Sequence, residues 1–440
     1  MKTLDSYVLK LLESNPKEVG ALIRRLRTEK GLRLADLGDE QVSSSTLSNI
    51  ERGIGKHKVD RVVYILEKLG VPMDNIADVL DQERNSIALI DFKLKSAEAF
   101  LKLRQSKEAL QELEKVKIHD FHYLTPKYYY LKGRCLQVLN EWDQAEKFFL
   151  HAIELLIDVA KDDNIEAACY GELALCKHRQ NDLHQALELT DKGILSFVEG
   201  GDRQNTIYTL YLNKSIFCNK LSLPDGILSL KQLEILLDQI EDPNIRLKYY
   251  WLKADYTRKY GNFKESMQYA EEGLELAGMC QLFHLFMEFW LCIGDCLSCM
   301  GKFREAEDQF KQALQFNQNL VGTTALISAN LRIGTLYSNN KLWEKAEPFA
   351  ITARNLSIEQ NNAPNLFSTL LLLGDIERGK GNHTASVQFY QQAQEVAHKY
   401  NYTELEIQAW TCLALCWENV DQEQFQLCAS YVFKLKNSTI

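Results

Sequence analysis

The sequence predicts an all-α protein with a small N-terminal head of short helices and, behind it, a long array of paired helices with a 40-residue step. Three observations predict this. Proline is scarce, 7 in 440 residues, and a proline-poor chain keeps its helix hydrogen bonds. Small residues return in fixed register through most of the chain. The first 80 residues hold 13 Lys/Arg and 12 Asp/Glu, whereas the remaining 360 hold 38 and 48, so a near-neutral head precedes an acidic body. An acidic body excludes broad nucleic-acid binding by that body.

The head is read in order. Residues 1–15 form an amphipathic helix, and residues 16–72 form a compact domain. Val19, Leu22, Ile23 and Leu26 share one helix face, and Gly31 ends that helix. Leu32, Leu34 and Leu37 mark a second, short helix. The turn GDEQV leads to SSSTLSNIERG, residues 43–53, in which Leu47 and Ile50 lie three apart and Ser43, Ser44 and Ser45 are each competent N-caps. Val59, Val62, Val63, Leu66 and Leu69 form the apolar face of a further helix over 58–69.

Short helices with a capped, polar third member have the pattern of a helix-turn-helix. The recognition helix of such a unit enters the major groove by its N-terminal residues. Short hydroxyl and amide side chains there reach base edges and phosphates. Ser44, Ser45, Thr46, Ser48 and Asn49 are therefore expected to face duplex DNA, with Arg33, Lys56 and Lys58 near phosphates. The stretch GLRLADL…SSSTLSNIERG…VVYILEKLGV resembles the Xre-type helix-turn-helix regulators over residues 17–72. Leu34 stands where that class carries a backbone-contacting Gln.

Residues 73–95 are read as a linker helix and 96–440 as the array. In the array, Ala145, Ala186, Gly226, Ser266, Ala306, Ala346 and Ser386 open the second helix of seven successive pairs. An upstream column runs Gly133, Ala174, Ala254, Gly294, Gly334, Gly374 and Ala414, broken by Lys214. A downstream column holds Gly193, Gly273, Ala313, Ala353 and Ala393. Helix axes come within 8–10 Å where side chains are small, so fixed columns mean one crossing built repeatedly. Weaker end units are expected at 91–116, with Ala97 and Ala109, and at 404–435, with Cys428 and Ala429. The columns resemble those of the tetratricopeptide repeat, which implies a right-handed superhelix.

Taking the upstream small residue as position eight, positions two, five, nine and twelve lie on one inward stripe. This places Tyr211 and Trp251 as aromatic walls and Asp255, Asp295 and Asp375 as a row of carboxylates. Arg134, Arg258 and Arg378 are cationic anchors, and Asn213 and Asn219 suit the backbone of an extended peptide.

A helix-turn-helix followed by such an array resembles the RRNPP group of peptide-responsive regulators, most of all its neutral-protease regulator type. The resemblance implies a transcriptional regulator that binds a palindromic operator as a homodimer or higher homo-oligomer and is switched by a short imported signalling peptide. Rival readings are a protein-binding regulator that holds a phosphorelay response regulator, and a prophage-type repressor with another ligand. No catalytic constellation, cofactor motif or metal site is read. G-x4-G-K at 374–380 lacks the following hydroxyl, Cys292, Cys296 and Cys299 read as helix-contact thiols, and His119 and His122 read as loop residues. Eleven cysteines without a short secreted framework, no signal peptide and no apolar span lead to the expectation of a cytoplasmic protein.

Overall fold

The computed structural model describes residues 6–54, 58–119, 122–156, 162–180, 182–221, 223–316, 321–400, 402–418 and 420–438. The described residues contain helices and no strand. The chain divides into two compact units, residues 1–214 and 215–440.

The first unit opens with α1 (Ser6–Ser14), whose Leu12 is buried in the head. Pro16 sits in the first turn of α2 (Pro16–Glu29), where its missing N–H removes no helical bond. Gly31 takes φ +67° and turns the chain into α3 (Leu34–Leu37). Ser43 is the cap that α4 (Ser44–Glu51) uses: its hydroxyl accepts from the Thr46 N–H at 3.2 Å. The head closes with α5 (Val59–Lys68) over a core of Leu22, Ile23, Leu47, Ile50, Ile65 and Leu66.

Residues 73–75 form a 3-10 turn and run into α6 (Ile76–Lys102), one continuous helix of 27 residues. Ile76 and Leu80 complete the head core, while Leu94 and Ala97 belong to the core of the first helix pair with α7 (Ser106–Glu114). One helix thus serves both parts. The pairs α8 (Thr125–Val138) with α9 (Trp142–Leu155), and α10 (Ile165–Arg179) with α11 (Leu183–Ser196), follow. The next helix, α12 (Asn205–Lys220), lies across the division and pairs by sequence with α13 (Asp225–Ile235).

The second unit continues with α14 (Pro243–Lys259), α15 (Phe263–Met279), α16 (Phe283–Cys299) and α17 (Phe303–Ala313). It ends with α18 (Thr323–Asn339), α19 (Trp343–Glu359), α20 (Ala363–Gly379), α21 (His383–Lys399), α22 (Thr403–Trp417) and α23 (Gln422–Ser438).

The small-residue columns lie where backbones meet. Ala145, Ala186, Ser266, Ala306, Ala346 and Ser386 have no exposure. The two serines satisfy their buried hydroxyls on the facing helix: Ser266 donates to the Ala254 carbonyl at 2.7 Å and Ser386 to the Gly374 carbonyl at 2.9 Å. At three of the four glycines in the upstream column an aromatic ring fills the crossing, whereas at Gly334 the nearest atom is Leu372 Cδ2. A Cβ on Gly133, Gly294 or Gly374 would press into the ring of Phe149, Phe310 or Tyr390, each 16 residues on. Where the upstream residue is Ala174 or Ala254, the residue 16 on is Thr190 or Ala270. In the last pair Cys428 is buried, but Ala429, expected to be its small partner, is exposed.

Candidate nucleic-acid interface and ligand groove

The α4 helix is fixed from beneath and open above. Leu47 and Ile50 are buried, Ser44 and Ser45 are exposed, and Thr46, Ser48 and Asn49 are half-buried. Gly20 lets α2 touch the end of α4: a Cβ there would stand 2.7 Å from the Glu51 carbonyl oxygen. Arg27 of α2 grips Glu51 with two hydrogen bonds, Nε to Oε1 at 2.6 Å and Nη2 to Oε2 at 2.9 Å. The turn before α4 is held by Asp39, which accepts from Tyr64 and Lys68 of α5 and from the Val42 N–H. These partners, Lys68 first, hold the Asp39 carboxyl well below its ordinary range.

The predicted DNA residues divide. Asn49 Oδ1 accepts from Arg52 Nη2 at 2.6 Å, so the amide NH2 is the group it can offer a base. Arg33 is exposed but paired with Asp36 at 3.2 Å, and Lys58 is the exposed N-cap of α5. Lys56 lies outside the described residues.

The predicted groove residues fall in both units. In the first, Tyr211 is half-buried and Asn213 buried, its amide nitrogen without a hydrogen-bond partner. Arg134 reaches Glu172 of the next pair at 2.9 Å and donates to the Tyr130 hydroxyl at 3.1 Å. Glu172, then Tyr130, holds its guanidinium even more firmly protonated than usual. In the second unit, Trp251, Asp255 and Arg258 share one face of α14 and are all half-buried. Asp255 pairs with Arg258 at 2.7 Å and Lys259 at 3.1 Å and accepts from Asn219 at 3.0 Å. Burial pushes its pKa up, but Asn219, Lys259 and Arg258 outweigh that and leave it below the ordinary value. Asp295 of α16 pairs with Arg332 of α18 at 3.4 Å, and burial raises its pKa despite Arg332 and Arg258. Asp375 pairs with Arg378 at 3.3 Å and accepts from Tyr390 at 2.7 Å.

Every predicted carboxylate is therefore engaged with an arginine. Sequence reasoning followed positions two, five, nine and twelve and missed Glu172 and Arg332, which both stand at position six of the following pair. A nine-to-six ion pair of opposite sense, Arg134–Glu172 and Asp295–Arg332, ties successive first helices together. The opposed charges at these two positions were the available signal. Among the described residues no His, Cys, Asp and Glu group has metal-binding geometry, and no helix is long and apolar enough to cross a membrane. The eleven cysteines are free thiols.

A helix-turn-helix domain family matches residues 18–79, and tetratricopeptide repeat families match residues 124–193 and 367–399. No curated protein matches the sequence significantly. Among solved structures, the chain is similar to a Rap protein complexed with competence and sporulation factor, at 13% identity and TM-score 0.57, over 80% of this chain and 98% of that one. It is similar to the apo quorum sensor NprR from B. thuringiensis at 14% identity and TM-score 0.54, over 77% and 94%. The apo form of RapI gives 10% identity and TM-score 0.55, over 80% and 98%. At such identities the likeness is one of fold. The chain thus joins a helix-turn-helix domain to tetratricopeptide repeats, and its fold is like that of the Rap and NprR structures.

Proposed function

We propose that the protein is a DNA-binding transcriptional regulator, not an enzyme, whose repeat array binds a short signalling peptide that changes operator occupancy. The observation that carries the DNA half is α4: its Ser44–Ser45 end is exposed while Leu47, Ile50 and the Arg27–Glu51 pair fix it to the domain. A preorganised helix with exposed hydroxyls at its N-terminus suits major-groove insertion. The peptide half is supported by the α14 face, where Trp251 offers an apolar wall on the same side as Arg258, two turns further on. Arg258 binds the peptide's acidic group or C-terminal carboxylate by exchanging Asp255 for it, and that exchange is the switch. The solved Rap structure with competence and sporulation factor has a factor bound on this fold.

The regulator reads a two-fold operator as a homodimer, because one such head covers too little DNA for useful specificity. Two measurements test the reading. A gel shift with upstream DNA fragments tests operator binding. Calorimetric titration with C-terminal peptides from an adjacent small reading frame carrying an export signal tests the ligand. No specific complex in the first, or no heat in the second, overturns the corresponding half.

A further inference from the structure

The long helix α6 carries two apolar stripes. The inward one holds Ile76, Leu80, Ile87, Leu94 and Ala97 and is buried in the cores already described. The outward one reads Asn85, Leu89, Phe92, Ser96, Ala99 and Leu103. Its steps are four, three, four, three and four residues, the spacing of a two-stranded coiled-coil seam. Leu89, Phe92 and Leu103 are 56%, 68% and 69% exposed among the described residues. Three large apolar side chains aligned along about 21 Å of one helix face, with Ser96 and Ala99 between Phe92 and Leu103, are not scattered surface residues.

We propose that this seam is the interface with a second copy of the chain, α6 pairing with α6 in parallel. The proposal rests on the two-fold operator reading and says which surface supplies the dimer. Three features favour a second copy. The seam is self-complementary in parallel register, each residue meeting its own counterpart, with Asn85 meeting Asn85 where an amide can both donate and accept. The flanking charges select the same direction. In parallel pairing Lys95 flanks Phe100 of the other copy, and Ala88 flanks Lys93. Full-overlap antiparallel pairing would set Lys95 against Lys95 and Lys93 against Lys93. Both lysines already have acceptors in their own chain: Lys95 pairs with Asp91 at 2.7 Å, and Lys93 donates to the Lys115 carbonyl at 2.9 Å. Finally, α6 begins in the head core, so a parallel pair brings both heads out at the same end, as half-sites about one helical turn of DNA apart demand. Each helix is already folded, so pairing carries no helix-nucleation cost, and a seam this short still suffices for a reversible dimer.

Sedimentation equilibrium of the full chain at micromolar concentration, without DNA, tests the seam. The wild type is expected to run as a dimer and the double variant Leu89→Glu, Phe92→Glu as a folded monomer with unchanged helical circular dichroism. As a second arm that does not disrupt the seam, Asn85→Cys is expected to give an oxidised, reducible dimer on a gel that wild type, with its eleven cysteines, does not give. A wild-type monomer, a dimer that survives the double substitution, or no gain in cross-linking at position 85 overturns the proposal. A monomeric wild type would also leave the seam to a different, acidic helical partner attracted by Lys93, Lys95 and Lys102. Binding to mixed-sequence duplex DNA is measured in parallel. If it persists while the dimer fails, the seam is wrong and the DNA reading stands; if it fails in a wild-type dimer, the reverse holds.

Discussion

Arg27 and Glu51 form a two-pronged ion pair buried between α2 and the last turn of α4, with side-chain exposures of only 10% and 4%. The pair fixes α4 at its C-terminal end while Gly20 sets how closely the two helices approach. A buried pair is costly to break by halves, because one charge stays without its counter-ion. Arg27→Ala or Glu51→Ala is expected to destabilise the head by about 3–5 kcal/mol in urea unfolding. The double substitution Arg27→Met, Glu51→Leu should recover most of that loss. Single variants as stable as wild type would show that the pair does not hold α4.

The DNA face separates into two kinds of contact. If α4 enters the groove as proposed, Asn49→Ala should relax sequence preference by about 1–3 kcal/mol at one position. On the same proposal Lys58→Ala should weaken all sequences alike, lowering the salt slope of binding by about one unit. Gel shifts across operator variants at two or more salt concentrations distinguish the two outcomes. Identical behaviour of both variants would remove α4 from the groove.

Arg258 and Arg134, one in each unit, are the two proposed anchors for the peptide's acid group. A charge-assisted hydrogen bond contributes about 1.5–3 kcal/mol, so the variant of the true anchor should bind peptide at least about tenfold more weakly in calorimetry. Folding and operator binding should be retained. Unchanged affinity in both Arg258→Ala and Arg134→Ala would place the ligand elsewhere.

Acid should loosen the head through Asp39. Its folded-state pKa is depressed, by Lys68 first and then by Tyr64 and the Val42 N–H. A depressed carboxylate contributes stability that is fully present above its unfolded pKa and lost as pH falls through the folded one. Thermal melts from neutral pH downward should therefore show stability falling below the ordinary carboxylate range. Asp39→Asn should start lower at neutral pH and fall less steeply. An acid limb as steep in Asp39→Asn as in wild type would assign it to other groups.

In the array, Gly294→Val puts a branched side chain into the ring of Phe310. Overpacking of this kind typically costs about 1–3 kcal/mol. Pairing it with Phe310→Ala, which imitates the Ala254 and Ala270 combination, should restore part of the loss. A double-mutant cycle in urea reads the coupling, and strict additivity would mean the two residues do not share a crossing.

The sequence by itself determined the helix pairs, their 40-residue register and the position of α4. Those depend on local signals: a capping serine, an apolar stripe, a small residue every 40 positions. It did not determine which residue each charged side chain meets, because ion partners lie on separate helices. Arg134 with Glu172 and Asp295 with Arg332 join consecutive pairs, and single-helix periodicity followed only one member of each. Tertiary packing also chose Ser43 among three competent caps and placed Asn49 beside Arg52. It showed why glycine stands at Gly133, Gly294 and Gly374, where rings from the following helix occupy the space a Cβ would take. The outward stripe of α6 was present in the sequence throughout, but its meaning needed the fold: once the inward stripe is buried by the head and the first pair, the other apolar row is left facing water.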